Sequence, residues 1–556
     1  MYDALFMNIV RDNTIAPEFM DSLGQHSIAS YLSLFGYKAM VFSGRTCDVE
    51  HVVRDAISND VSLIGLYVSA DTLALVKNII RWIKKSFNIK VSIGGPEAVS
   101  CNEAFMRETG CDAVIVSEGE EPVRQLLDAY NIGDMEMENI PNCRYIDKDN
   151  VYHENAVTYC VKELDSIPFP NYNNSLNVRF RRGEMVGILT GRGCPFGCSF
   201  CYEGANSKNV RFRSIKNVMA EIDYIIENNP NLRIINIYDD TFTLLTERVY
   251  SFCTEIQKRN VEWVCEAHVS NIVRYPEMIK TMVESGLIGI QIGIESGSDK
   301  VLKAYNKNID RQEILKAVKI CKEAGVVSLA GNFIIGGAFE DLTTFADSLD
   351  LAKEMVRVGR GMVELRSVYL APYPNTRISE EPENFGLHID AQLTNNVIYS
   401  MHNPVLHTDA LTIDDIYNLR NKFNQEIELE YYREAYKCGR HEIENCIIHN
   451  SKTTNRLLSW YEFYIKIEHL LCYIQNYPYS PHDFNMYYYP IRTYCDPEYP
   501  QRFHLDITDM EYHCLMLCNG KNSLLDISQK LLLSEKEVES IYSNLYDKCL
   551  VYLSKF

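Results

Sequence analysis

No run of apolar residues in this 556-residue chain reaches the roughly 18 needed to span a bilayer. The opening residues, MYDALFMNIVRDN, lack the basic stretch and apolar core of a secretory signal, so a cytoplasmic protein is expected. Positive charge is scarce. The chain has 55 Lys and Arg against 75 Asp and Glu, a net charge of −20. A chain this acidic makes a poor general nucleic-acid binder, because phosphate binding needs a basic footprint. Short-period repeats and low-complexity tracts are missing too. The apolar fraction of 46% is that of a globular protein, and the length suggests three or four domains. Cysteine is plentiful, at 18. In a reducing compartment a cysteine cluster reads first as a metal site.

The first 130 or so residues alternate strand-like and helix-like stretches, among them ALFMNIV, KAMVFSG, SLIGLYVS, KVSIGG and DAVIVS as strands. This pattern predicts an α/β domain with a doubly wound, Rossmann-like parallel sheet over residues 1–145. Residues 146–183 read as a linker. A second α/β series covers 184–377, with six strand candidates from MVGILTG to MVELRSVYL. Six units are too few for a closed eight-unit barrel and fit a partial one. Residues 378–500 lean helical. Residues 501–556, with strand FHLDI and three helices, read as a winged helix.

The most specific motif is GRGCPFGCSFC, which spaces Cys194, Cys198 and Cys201 as C-x3-C-x2-C after a strand. Thiolates suit zinc or iron–sulfur centres. Structural zinc closes four ligands, and only three stand here. Three thiolates on a [4Fe–4S] cube leave one iron open. The glycines at 191, 193 and 197 let the loop wrap closely around a cofactor.

This segment, with Phe200 before the third cysteine, resembles the signature of the radical S-adenosylmethionine (SAM) superfamily. The resemblance runs over about residues 184–340. It implies a partial (β/α)6 barrel in which the open iron chelates SAM. An electron from the cluster then cleaves SAM to methionine and a 5′-deoxyadenosyl radical. INIYDDTF resembles the family's second strand and implies Asp239 and Asp240 near the methionine end of SAM. IGIQIGIESGS resembles the fifth-strand motif, with Glu295 and Ser296 at SAM polar groups. GNFIIGG resembles the sixth-strand motif, with Gly336 near the adenine. In EWVCEAHVS, alternation puts Glu266, His268 and Ser270 on one face, expected to look into the barrel, with Glu266 and His268 as catalytic candidates.

Residues 1–130 resemble the cobalamin-binding domain that precedes many radical SAM cores, with Gly94–Gly95 suited to close approach of a nucleotide-like ligand. The Asp-x-His-x-x-Gly pattern that supplies a histidine to cobalt is absent, and His26 and His51 stand outside that context. The last 55 residues resemble the peptide-recognition winged helix (RiPP recognition element) of ribosomal-peptide maturation systems. Together these resemblances imply three cofactors: a [4Fe–4S] cluster, SAM and cobalamin. The expected substrate is a ribosomally made precursor peptide undergoing C-methylation. Without cobalamin, epimerisation or crosslinking is the alternative, with Cys495 a candidate hydrogen-atom donor. A small molecule of tetrapyrrole or lipid type is the rival substrate. The basic run Arg179, Arg181, Arg182, Arg192, Arg211 and Arg213 is expected to dock a flavodoxin or ferredoxin electron donor, or to wall the substrate cleft.

Overall fold

The computed structural model describes residues 2–10, 22–70, 72–131, 136–176, 185–229, 232, 234–390, 404–435, 487–490, 508–517, 522–547 and 551–554. Two parallel sheets organise it. The first contains β1 (Ala4–Val10), β2 (Ala39–Arg45), β3 (Leu63–Tyr67), β4 (Lys90–Gly94), β5 (Ala113–Ile115), β6 (Cys143–Ile146) and β7 (Tyr152–Glu154). Their order is β2-β1-β3-β4-β5-β6-β7. The first five are parallel, and β6 and β7 add an antiparallel edge. The sheet therefore runs through Glu154, past the boundary at 145 read from the sequence.

Helices α1 (Leu23–Ser33), α2 (Thr46–Ser58), α3 (Leu73–Ser86), α4 (Glu103–Thr109) and α5 (Glu120–Asn131) alternate with these strands. They cover both faces, which explains why β1 is buried along its whole length. Separate apolar clusters form on the two sides, one around Ile64, Ile80 and Val91, the other around Phe6, Leu32 and Leu126. The β2-β1-β3 reversal creates a crevice at the carboxyl ends of the strands, where open α/β sheets take ligands.

The second sheet comprises β8 (Met185–Ile188), β11 (Ile234–Ile237), β12 (Glu262–Ala267), β13 (Leu287–Glu295), β14 (Ser328–Ile335) and β15 (Val363–Tyr369). All pairs are parallel and follow chain order, so the sheet is an open six-stranded partial barrel. The intervening helices are α6 (Tyr202–Asn206), α7 (Ile215–Asn228), α8 (Thr246–Ile256), α9 (Val269–Arg274), α10 (Pro276–Glu284), α11 (Asp299–Ala304), α12 (Arg311–Ala324) and α13 (Leu342–Val358). IGIQIGIE forms the fourth strand of this sheet and GNFII the fifth, one place earlier than the motif resemblance implied. A two-residue hairpin, β9 (Gly191–Arg192) with β10 (Arg211–Phe212), brackets the cysteine loop.

A long helix, Ile413–Ala435, packs behind β15 and α13, placing Phe423 against Phe333 at 5.1 Å. Near the end of the chain stand helices Asp509–Leu517, Leu524–Leu531 and Glu535–Asp547. An antiparallel pair joins Tyr487–Pro490 to Val551–Ser554. The predicted strand FHLDI lies outside the described residues, as does Cys495. Among the described residues no helix is long and apolar enough to cross a membrane.

Candidate active site

The cysteine loop leaves the carboxyl end of β8 and is fixed from below by one carboxylate. Asp239, fully enclosed after β11, accepts from the Thr190 N–H at 2.6 Å, the Gly191 N–H at 3.0 Å and the Thr190 hydroxyl at 2.5 Å. Asp239 thus anchors the turn into the loop, a different task from the contact with SAM expected of it. Its neighbour Asp240 accepts from the Gly193 N–H at 3.2 Å. Gly193 has φ +92°, and a Cβ there would lie 2.5 Å from the Asn209 carbonyl oxygen, so only glycine fits. The rest of the loop is clamped by the segment after α11. Ser199 N–H donates to the Tyr305 carbonyl at 3.0 Å, and the Asn306 amide donates to the Gly197 carbonyl at 2.9 Å. Phe200 packs edge-on against Tyr305.

Burial raises all three thiols, Cys201 to about 11. Opposing this, the Phe196 N–H is directed at Cys194 and the Gly204 and Glu203 N–H groups at Cys201, while Lys307 acts on Cys194 and Cys198. Soft sulfur donors ringed by backbone N–H groups and a buried cation suit an iron–sulfur cluster, whose negative charge they would offset. Held by these three thiols, with no fourth cysteine in the loop, a [4Fe–4S] cluster would keep one iron for an outside ligand.

Lys307 is one of the site residues that sequence reading missed. Its ammonium lies 2.7 Å from Glu295, and both side chains are buried. Burial alone would push Lys307 down, but Glu295 and the thiols Cys198 and Cys201 hold it above its ordinary value. Glu295 has φ +67° at a register shift between β13 and β14, which turns its carboxylate towards the loop side of the barrel. Ser296 points the other way: its hydroxyl meets Ser348 of α13 at 3.0 Å and caps the Ser298 N–H. Gly336 and Gly337 both donate to Glu340, a buried carboxylate that desolvation raises to about 7.

The inner face of the barrel is polar. Glu266 of β12 lies beside Gln291 of β13, which donates to it at 2.7 Å. In the same layer follow Ala330 and Glu364, and in the next layer Gly293, Asn332 and Arg366. Arg366 pairs with Glu364 at 2.5 Å, and the buried Asn236 amide nitrogen has no hydrogen-bond partner among the described residues. Closed barrels fill this space with branched apolar side chains, so a polar lumen is suited to a ligand. The predicted Glu266/His268/Ser270 face holds only at Glu266. The strand ends at Ala267, and His268 becomes the cap of α9, its Nδ1 accepting from the Ser270 N–H at 3.3 Å. The His268 ring stacks on Phe196 of the cysteine loop at 4.2 Å, and burial followed by Lys307 lowers it to about 4, so it is neutral at pH 7.

Across the gap stands the crevice of the first sheet. Gly95 has φ +117°, and a Cβ there would sit 2.5 Å from the Val68 carbonyl oxygen, so this glycine serves the approach of the β3 and β4 ends to one another. The enclosed Tyr67 hydroxyl, at the end of β3, is raised to about 12 by burial and then by Glu203 of α6. His26 lies buried against Tyr172.

Among the described residues, the basic run is engaged within the chain. Arg192 and Arg211 pair with Glu118 and Glu120, Arg213 pairs with Glu221, and all three are mostly enclosed. Arg179, Arg181 and Arg182 lie outside the described residues.

Residues 188–352 match the radical SAM superfamily, and residues 16–127 match the B12 binding domain. An uncharacterized methyltransferase of Pyrococcus horikoshii is 28% identical over 70% of this chain and 80% of its own length. The anaerobic magnesium-protoporphyrin IX monomethyl ester cyclase of Cereibacter sphaeroides is 24% identical over 68% of this chain. This chain spans 61% of the cyclase's length. Among solved structures, the cobalamin-dependent SAM radical enzyme OxsB, with aqua-cobalamin and SAM bound, is similar in fold. Its TM-score is 0.62 at 17% identity, covering 83% of this chain and 73% of that one. The radical SAM methyltransferase TsrM of Kitasatospora setae gives a TM-score of 0.56 at 15% identity, over 70% and 78%. The chain therefore joins a B12-binding domain to a radical SAM domain, and its cofactors are a [4Fe–4S] cluster, SAM and cobalamin.

Proposed function

We propose that this protein is a cobalamin-dependent radical SAM methyltransferase that methylates a polar substrate at a carbon atom. The observation that carries the reading is the direct abutment of the B12-type crevice on the cysteine loop, with Glu118 and Glu120 of one gripping Arg192 and Arg211 of the other. The methyltransferase name of the Pyrococcus relative supports it.

In this reading Cys194, Cys198 and Cys201 hold the cluster. When bound, the cluster and SAM supply a 5′-deoxyadenosyl radical, and cobalamin serves as methyl carrier. The chain's own part is to orient and to shield. Glu295, neutralised by Lys307, offers its free oxygen to the amino group of SAM. Glu340 holds the Gly336–Gly337 turn in shape for the adenine. Glu266, Gln291, Asn332 and Arg366 hydrogen-bond the substrate, because a polar lumen orients its guest at several points and so limits which C–H bond the radical meets. Neutral His268 cannot repel cationic SAM. An external one-electron donor of flavodoxin or ferredoxin type completes the system.

The precursor-peptide reading keeps one supporting observation, the three terminal helices beside the antiparallel pair Tyr487–Pro490 and Val551–Ser554. Strand addition to such a pair is a known mode of peptide capture. Tetrapyrrole-sized or other small molecules stand equally open, and the cyclase relative is named for one.

The test is anaerobic reconstitution with cobalamin and SAM, followed by mass analysis. Formation of both S-adenosylhomocysteine and 5′-deoxyadenosine with a methylated product supports the proposal. 5′-Deoxyadenosine alone, with an unmethylated product, replaces methylation with rearrangement or epimerisation. Loss of peptide binding on deleting residues 501–556 would favour the peptide branch.

A further inference from the structure

Arg192 and Arg211 face each other across the β9/β10 hairpin, in direct register. Two like charges placed so are unfavourable unless something opposite in sign sits between them. Here that is the turn between β5 and α5. Arg211 grips both oxygens of Glu118, at 2.5 and 3.2 Å. Arg192 reaches Glu120 at 2.7 Å and Glu118 at 3.4 Å. The network continues on both sides. Ser27 of α1 donates to Glu120 at 3.1 Å, and the Val161 N–H of the connector donates to Glu118 at 2.6 Å. Arg211 in turn donates to the Val161 carbonyl. All four charged side chains are at least four-fifths enclosed. Interdomain contacts within a chain are ordinarily weak enough to allow sliding, but a buried bidentate network fixes geometry.

Two positions give this network its meaning. The β5–α5 turn stands at the carboxyl end of the first sheet, on the rim of the ligand crevice. The hairpin stands at both ends of the cysteine loop, with Arg192 two residues before Cys194. We propose that Glu118 and Glu120 are positioning residues that hold the cysteine loop in register with the B12 crevice, so that occupancy of either cofactor site strengthens the other. The inference rests on the cobalamin and cluster readings above and adds the physical link between them. Linkage requires the effect to be mutual.

The test compares cobalamin affinity of the cluster-loaded protein and of the same protein stripped with a chelator, for wild type and for Glu118→Gln/Glu120→Gln. The wild type should bind cobalamin about fivefold or more tightly with the cluster present. The variant, at unchanged iron content when loaded, should show a ratio near one. A wild-type ratio of one, or a variant that keeps the wild-type ratio, overturns the proposal. Hydrogen exchange on the cofactor-free chain gives an independent measure. Residues 191–212 should exchange faster in Glu118→Gln, and in Arg211→Met, than in wild type; unchanged exchange in both overturns the proposal even if the double variant does not fold. Failure of wild type to bind cobalamin at all would refute the cobalamin reading instead, and the exchange measurement would still judge the link.

Discussion

Lys307 and Glu295 show how much one contact can weigh at this site. Each is nearly excluded from solvent, with side-chain exposures of 9% and 8%. Replacing Lys307 by Met strands the Glu295 carboxylate without its cation, a change that costs about 3–5 kcal/mol in buried pairs. Lys307→Met alone should therefore lower the urea midpoint of the cofactor-free chain markedly, and Lys307→Met/Glu295→Gln should recover most of the loss. Gly193 gives a second expectation at this scale. An alanine there must adopt φ near +92° and push against backbone rather than a movable side chain. Gly193→Ala should reduce iron incorporated on reconstitution while leaving far-UV circular dichroism unchanged. The cysteines and Gly193 were legible in sequence because their signal is local spacing. Lys307 was not, because its partner is twelve residues away across a helix and nothing in AYNKNID marks the lysine as buried. Asp239 was legible as a motif but not in its task, since Thr190 lies 49 positions earlier.

Elements were readable where periodicity was strong and blurred where a cap intervened. Five parallel strands of the first sheet and six of the second follow from their apolar runs and the helices between them. β12 was read three residues too long because alternation continues through His268 and Ser270. Histidine is not among the usual helix caps, so the start of α9 carried no sequence flag. The start of α13 is capped in both directions: Asp341 accepts from the Thr344 N–H at 2.9 Å while the Thr344 hydroxyl meets the Asp341 N–H, a reciprocal capping box. Asp341→Ala should cost about 1 kcal/mol in chemical denaturation, and Asp341→Ser should restore most of it. The same helix carries Lys353 and Arg357, which pair with Glu426 and Glu430 of the long helix at 2.6 Å each. A loosened start of α13 should therefore also speed hydrogen exchange in residues 413–435.

At the scale of the whole molecule, the joint between the two sheets should be acid-sensitive, because of one buried imidazole. His26 of α1 is 1% exposed and packs on Tyr172 of the connector at 4.8 Å between ring centres. Burial lowers it from 6.5 to about 4, against a smaller opposing effect of a hydrogen bond with the Asn171 backbone. The folded state thus holds the ring neutral where the unfolded chain would protonate it. The stability held above pH 6.5 is lost as the pH falls towards 4, because the unfolded state binds the extra proton in that window. Between pH 7 and pH 5 the loss from this group is about 2 kcal/mol. Other buried groups titrate too, Glu340 among them, and with the opposite sign. The informative quantity is therefore the difference between wild type and His26→Gln, a side chain that cannot titrate. Urea midpoints at pH 7 and pH 5 should fall less in His26→Gln than in wild type, by an amount equivalent to that figure. Because His26 lies on the helix that also sends Ser27 to Glu120, acid should loosen the interdomain network before either sheet unfolds. In wild type at pH 5, exchange in residues 164–176 and 191–212 should accelerate ahead of the strands of β1 and β13; simultaneous acceleration everywhere would show that the joint and the sheets fail as one unit.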